Sequence, residues 1–248
     1  MPWAGVAALD EDWLVYVGPI AATAQHAHHA TQIIVSTDGP ELRLRVADRV
    51  VRAPTIIVGP NVAHAIESDA TCSIIVFTRP ESHLSDALRE RVLDPAPFAA
   101  RSFRAASTIE IPTRESAVAL VDRITSQLVG PQPFVRRDRP DVVTRALAIL
   151  PDALIHGSVA LDAIAQECGV SASRFRHLFM ASTGSSWRAF IRWERLVRAT
   201  ASASTGASLT AAAHDAGFAD AAHFTRTFRA MFGLTPSEVL FSLRWIAK

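Results

Sequence analysis

Short apolar runs separated by turn residues fill the first eighty residues, a β-rich pattern. Residues 13–17 (Trp-Leu-Val-Tyr-Val) predict a strand stopped by Gly18-Pro19, and residues 33–35 another, closed by the turn cluster at 36–40. Leu42, Leu44 and Val46 alternate with Arg43 and Arg45, the pattern of a half-buried strand. Ala47-Asp48 then turns into Val50-Val51. Residues 55–58 stop at Gly59-Pro60-Asn61, and residues 73–77 supply one more strand. Short strands with turns at this spacing predict a small sandwich or barrel.

After Pro80 the period changes to that of helices. Leu84, Ala87, Leu88 and Val92 fit a short helix, and Ala117, Leu120, Val121, Ile124 and Leu128 form a helical stripe that ends at Gly130-Pro131. The helix at 115–129 is a candidate dimerisation surface, although the same stripe could pack on its own barrel. Residues 131–140, with prolines and the charged run Arg136-Arg137-Asp138-Arg139, read as a linker. Residues 1–130 form one predicted domain. Residues 141–248 form a second, helical throughout.

The second domain repeats itself. Leu161, Ile164 and Ala165 lead through Gly169 to Phe175 and Phe179; Leu209, Ala212 and Ala213 lead through Gly217 to Phe224 and Phe228. Each copy reads helix, glycine turn, helix. Ser171, Ser208 and Asp220 stand at helix-capping positions. Phe175, Leu178 and Phe179 share one helical face, as do Phe224, Phe228 and Phe232. The opposite faces carry Ser173, Arg176 and His177 with Arg174 on the flank, and Ala222, Thr225, Arg226 and Arg229. One such pattern by itself could be any pair of amphipathic helices. Two in tandem, with matching glycine, cap and phenylalanine positions, predict a pair of helix-turn-helix units.

Charge sharpens this picture only mildly. Residues 141–248 hold 11 basic against 8 acidic residues, and residues 1–140 hold 14 against 16. Arginine supplies the basic charge, with Lys248 the single lysine. Arginine suits bidentate contacts to phosphate and guanine, but an Ala- and Arg-rich composition can equally follow from a GC-rich genome. With 49% hydrophobic residues the chain can bury a sizeable core. No apolar run is long enough to span a bilayer, no secretory signal opens the chain, and Cys72 and Cys168 are too few for a disulfide framework. The expectation is a cytoplasmic protein.

Residues from about 141 to 240 resemble the DNA-binding domain of the AraC/XylS family of transcription regulators. The resemblance rests on Ala216-Gly217-Phe218-Ala219-Asp220-Ala221-Ala222-His223-Phe224-Thr225-Arg226-Thr227-Phe228 and on Phe232-Gly233-Leu234-Thr235-Pro236. Gly169-Val170-Ser171 through Phe175, Phe179 and Gly184 supports it, and Phe190 with residues 192–196 is similar to the family's connecting helix. It implies two recognition helices held in adjacent major-groove segments, about 34 Å apart. Three departures stand out. Pro151 lies inside the family's first helix, where a kink or early stop is expected. Residues 201–204 (Ala-Ser-Ala-Ser) replace a bulkier aliphatic end of the connecting helix. Ala221 and Ala222 stand where longer polar side chains are common, so this helix would touch thymine methyls while Arg226 and Arg229 hold phosphates.

In the first domain, His26, His28 and Gln32 followed by Pro60 and His64 resemble the two motifs of a cupin barrel, a fold that sensor domains of the same family often have. On a strand, His26 and His28 would point to one side and His29 to the other. In metal-binding cupins the positions of His26, His28, Gln32 and His64 are ligands, which here suit a divalent transition metal; alternatively the histidines line a ligand pocket near the barrel mouth. His83, His156, His214 and His223 lack ligand spacing. The chain shows no Gly-rich phosphate loop, nucleophile elbow or paired carboxylates, so it is not expected to be an enzyme. The expected protein is a two-domain transcription regulator, with a cupin-like β-barrel and flanking helices before an all-α tandem helix-turn-helix domain. Its expected partners are double-stranded promoter DNA, a small-molecule effector or metal, RNA polymerase and a second copy of itself, with no membrane. The rival is a cupin metalloenzyme, dioxygenase-like, with a helical appendage.

Overall fold

A computed structural model describes residues 3–37, 41–46, 48–68, 70–93, 96–105, 109–130, 139–156 and 159–246. The chain divides into two compact units, Met1–Val135 with Phe228–Lys248, and Arg136–Thr227. Most of the expected linker, residues 131–138, lies outside the described residues.

Among the described residues, the first unit has ten strands: β1 (Val6–Leu9), β2 (Trp13–Ile20), β3 (Thr31–Ser36), β4 (Leu42–Val46), β5 (Arg49–Ala53), β6 (Thr55–Val58), β7 (His64–Ile66), β8 (Ala70–Thr78), β9 (Phe98–Arg101) and β10 (Arg244–Ile246). They form a seven-stranded sheet in the order β10-β1-β2-β8-β3-β6-β9 and a three-stranded sheet in the order β5-β4-β7. The strands are therefore two packed sheets of a cupin-like sandwich rather than one closed cylinder. Ile34, Ile56, Val58 and Ile75 of the larger sheet meet Leu42, Leu44, Val46 and Ile66 of the smaller in one core. The other face of the large sheet carries Val15, Ile33, Val35, Ile57, Ile74 and Val76. All six residues of β3 are buried, because it lies mid-sheet with both faces covered. That explains its unbroken apolar run, whereas β4 alternates buried and exposed as a one-sided strand must.

Two helices cover the second face. α1 (His83–Leu88) continues into a single π-helical turn at Arg89–Leu93. α2 (Arg114–Val129) starts on a Thr113–Ser116 capping box and buries Ala117, Leu120, Val121 and Ile124 in the same core as the sheet. The stripe thus serves the unit's own core.

Two sequence expectations are corrected here. Gly18-Pro19 does not stop β2, which runs on to Ile20. Its pairing with β8 steps from Gly18↔Ser73 to Ile20↔Ala70, so Pro19, which has no N–H to give, falls at the irregularity. Nor is the chain helical throughout after Asp141: β10 pairs in parallel with β1, Val6 opposite Arg244 and Ala8 opposite Ile246.

The second unit contains α3 (Asp141–His156), α4 (Leu161–Glu167), α5 (Ala172–Thr183), α6 (Trp187–Ser204) and α7 (Leu209–Asp215). α8 (Ala221–Phe232) begins in this unit and ends in the first, which also holds the short α9 (Pro236–Val239). Pro151 does not stop α3 early; the helix continues to His156 with Pro151 on its exposed side. Val143, Ala146 and Leu150 of α3 share a core with Ile164, Phe175, Phe179 and Phe190. Among the described residues no helix is long and apolar enough to cross a membrane.

Candidate functional site

Each helix-turn-helix unit is fixed by a left-handed glycine, a cap and buried aromatic rings. Gly169 and Gly217 adopt φ of 74° and 77°, a region that L side chains enter only at a cost. The Ser171 hydroxyl accepts the Arg174 amide at 3.3 Å, and an Asp220 carboxylate oxygen accepts the His223 amide at 2.6 Å, each opening the helix that follows the turn. Ser208 caps α7 through the Ala211 amide.

Behind α5, Phe175 and Phe179 are stacked 5.6 Å apart, and Trp187 stands edge-on to both at 5.2 and 4.9 Å. Trp187 is held in turn by its indole N–H, which donates to the Val159 carbonyl at 2.8 Å. Behind the start of α8, buried Phe224 lies 5.3 Å from Phe218.

With the aromatic faces turned inward, the opposite faces are presented to solvent. Ser173, Arg174, Arg176 and His177 are all exposed on α5. On α8, Ala222, Arg226 and Arg229 are exposed, while Ala221 and Thr225 are half-buried.

A second constellation lies in the first unit. His26, His28 and His64 offer nitrogens that all lie within 4.8 Å of one another, and all three residues are buried. His26 and His28 do not sit on a strand, as the sequence suggested. They occupy a loop between β2 and β3, tied down by a single two-way bridge in which the His26 and His64 amides each donate to the other's carbonyl at 2.9 Å. His29 turns away, its Nδ1 2.6 Å from the Asn61 side-chain oxygen. Gln32, on β3, completes the group.

The three rings are oriented alike. Nδ1 of His26 contacts the Ala24 carbonyl at 2.8 Å, Nδ1 of His28 the Ala30 carbonyl at 2.9 Å, and Nδ1 of His64 the Val62 carbonyl at 2.8 Å. A carbonyl only accepts, so each Nδ1 carries the proton and each Nε2 presents a lone pair. Nε2 of His28 and of His64 face Oε1 of Gln32 at 3.2 and 2.7 Å. Burial dominates the electrostatics and keeps all three rings neutral. It lowers His26 to about 3, with the neighbouring His64 adding to the shift, and lowers His28 and His64 below the ordinary histidine range.

Sequence spacing located the four residues but missed what closes over them. The Phe232 ring lies 6.3 Å from His28 and 5.3 Å from Phe77, which itself stands edge-on to His28 at 5.2 Å. The Ala24 amide donates to the Gly233 carbonyl at 3.2 Å. Gly233 directly follows α8, and nothing in the residue spacing links it to the loop that holds Ala24.

Comparison with known proteins bears on the helix-turn-helix region and on the fold. The family model of a helix-turn-helix domain matches residues 164–240. ToxT from Vibrio cholerae shares the fold across nearly the whole chain, with a TM-score of 0.59 and 14% identity over 94% of this chain and 99% of that one. A wild-type ToxT structure with a bound unsaturated fatty acid gives a TM-score of 0.56 at 15% identity, covering 94% of this chain and 96% of that one. A probable AraC family transcriptional regulator from Rhodopseudomonas palustris CGA009 is 30% identical over 41% of this chain and 96% of that chain, with a TM-score of 0.37. No curated protein matches the chain significantly. Residues 164–240 therefore form a helix-turn-helix domain, and the chain as a whole shares the fold of ToxT.

Proposed function

We propose that this regulator reads promoter DNA with the exposed faces of α5 and α8 and responds to an effector held in its first unit. Ser173, Arg174, Arg176 and His177 contact one major-groove segment, and Ala221, Ala222, Thr225, Arg226 and Arg229 the next. Arginines hold phosphates or guanine edges, and the alanines of α8 lie against thymine methyls. The observation that carries this reading is the paired geometry: two left-handed glycines, two capped helices, and two arginine-bearing faces set opposite buried phenylalanines.

In this reading residues 1–130 are the effector-binding and dimerisation domain, residues 131–140 the linker and residues 141–248 the DNA-binding domain. The effector is a small molecule or a metal ion at the histidine cluster. The fatty acid bound by ToxT supports a ligand-binding role for this unit. The protein works in the cytoplasm, as a homodimer, and engages RNA polymerase at the promoter.

The burial of the histidine cluster supports regulation over catalysis. A catalytic metal keeps a coordination position open to substrate, whereas His28, His64 and Gln32 are each only 1% exposed. Selection of DNA sequences from a random pool by the full chain, followed by gel-shift titration in increasing salt, tests the function. The expected result is one enriched motif with two half-elements and an affinity that falls steeply with salt. No enrichment, or binding insensitive to salt, overturns the reading. Turnover of a small substrate by iron-loaded protein would revive the metalloenzyme.

A further inference from the structure

We infer that residues 228–246 act as a strap: they complete the first unit, grip the last turn of the recognition helix α8, and restrain α8 from reading DNA until they let go. The strap stands on its own geometry; the restraint on DNA reading rests on the function proposed above.

The first argument is where the carbonyls at the end of α8 find donors. The last turn of a helix leaves its carbonyls without partners inside the helix. Here one loop of the first unit supplies them. The Ala27 amide donates to the Ala230 carbonyl at 3.4 Å and the Ala24 amide to the Gly233 carbonyl at 3.2 Å. Residues of α8 up to Thr227 belong to the second unit, and those from Phe228 on belong to the first. The helix that carries Arg226 and Arg229 on its exposed face is thus fastened to the first unit at its C-terminal end.

The second argument is that the chain stays in the first unit after that grip. The Phe232 ring lies 5.3 Å from Phe77. Leu234, Val239 and Leu243 pack against the core between the two sheets, and Ile246 packs against the core on the other face of the large sheet. β10 then extends that sheet in parallel with β1, the Arg244 amide donating to the Gly5 carbonyl at 2.9 Å. A parallel pair cannot come from a local hairpin, so β10 takes strand form only by being drawn back to the start of the chain.

The third argument is that the grip is shallow at its far end. β10 has three residues and lies at the edge of the sheet. Arg244 is exposed, and Trp245 and Ile246 are only half-buried. Phe241, just before them, is 57% exposed. β3, by contrast, is buried along its whole length. Short, half-buried elements open at a small fraction of the free energy of global unfolding, so β10 can detach while the two sheets stay folded. While it is attached, α8 answers to two bodies at once, and seating it in a groove carries the added cost of undoing the strap. Release therefore raises affinity for DNA. An effector taken up between the sheets would meet Leu234, Val239 and Leu243 and act on the same element.

The test uses the full chain. Arg244→Pro removes the amide that Gly5 accepts. It should speed amide hydrogen exchange in peptides covering residues 24–27 and 229–246 and leave residues 161–204 unchanged. It should also raise affinity for the selected DNA by about 5- to 150-fold. A second variant restrains instead of releasing, and keeps the proposal testable if the proline unfolds the protein. Val6→Cys with Arg244→Cys places two thiols on register partners. Oxidation should close a disulfide between them, identified by mass spectrometry, and lower DNA affinity in a way that a reducing agent reverses. Absence of that cross-link, or exchange unchanged in a folded Arg244→Pro, overturns the strap. Affinity that is unchanged or lower when exchange quickens, or that ignores the cross-link, overturns the restraint. Failure of every form to bind any DNA, with the cross-link and the exchange effect intact, overturns the proposed function and leaves the strap standing.

Discussion

The carbonyl of Gly233, directly after the last residue of α8, accepts the amide of Ala24 at 3.2 Å. Only glycine fits there. Its φ is 70°, and an added Cβ would stand 2.3 Å from the Ala24 carbonyl oxygen. Gly233→Ala should therefore cost about 1–2 kcal/mol in left-handed backbone alone, before the steric overlap is relieved. For a protein of this size that corresponds to a fall in Tm of at least about 2–4 °C per kcal/mol. Thermal unfolding by circular dichroism checks it, and an unchanged Tm would mean that Gly233 does not lie against Ala24.

Acid should weaken the metal-free protein through the histidine cluster. His26, His28 and His64 have pKa values lowered by burial, His26 to about 3 from 6.5. Between the folded values and 6.5 the unfolded chain binds more protons than the folded one, so stability rises with pH across that window and is lost on acidification. Above about pH 7 these groups contribute no slope. Urea midpoints of EDTA-treated protein should fall between about pH 7 and pH 5, and His64→Gln should flatten that fall. Equal midpoints at both pH values would show that the rings titrate normally and are not buried together.

How much of this was legible in sequence depends on the range of the interaction. The alternation at Leu42, Leu44 and Val46 reports burial on one face, and β4 has that pattern. The caps at Ser171, Ser208 and Asp220 are local chemistry and appear where the residue types placed them. β10 was invisible because Arg244–Ile246 is only three residues long and takes its strand form from pairing with β1, more than two hundred residues away. β7 is also three residues long, too short for periodicity to register. His26, His28, His64 and Gln32, grouped in sequence by their resemblance to the cupin motifs, do lie together, but the loop conformation of His26 and His28 has no signature in the sequence. It arises from the Ala24 and Ala30 carbonyl bonds and the bridge to His64, none of which leaves a periodic trace.

The aromatic brace behind α5 should dominate the stability of the second unit. Phe179 is fully buried and meets Phe175, Trp187 and Phe190 within 5.6 Å between ring centres. Phe179→Ala should cost about 3–5 kcal/mol, whereas Ser171→Ala, which removes one capping bond, should cost about 0.5–2 kcal/mol. Urea denaturation followed by tryptophan fluorescence ranks the two. A Phe179→Ala cost no larger than that of the cap would contradict the cluster.

Arg176 on α5 and Arg226 on α8 provide the sharpest division of labour between the two helix-turn-helix units. Both guanidinium groups are exposed, each opposite a buried phenylalanine face. A residue that holds a phosphate releases a counterion on binding, so replacing it by alanine lowers the slope of log affinity against log salt by about one. A residue that reads a guanine edge instead costs about 1–3 kcal/mol and relaxes preference at one base pair. Alanines precede Arg226 where longer polar groups could have read bases, so Arg226→Ala should show the first behaviour: uniform weakening across sequences and a shallower salt slope. Arg176 has polar Ser173 and His177 beside it on the same exposed face, and Arg176→Ala should show the second. Fluorescence anisotropy with the selected sequence and a set of single-base variants separates the outcomes. Sequence-specific loss from Arg226→Ala, or a pure salt effect from Arg176→Ala, would reverse the roles assigned to the two helices.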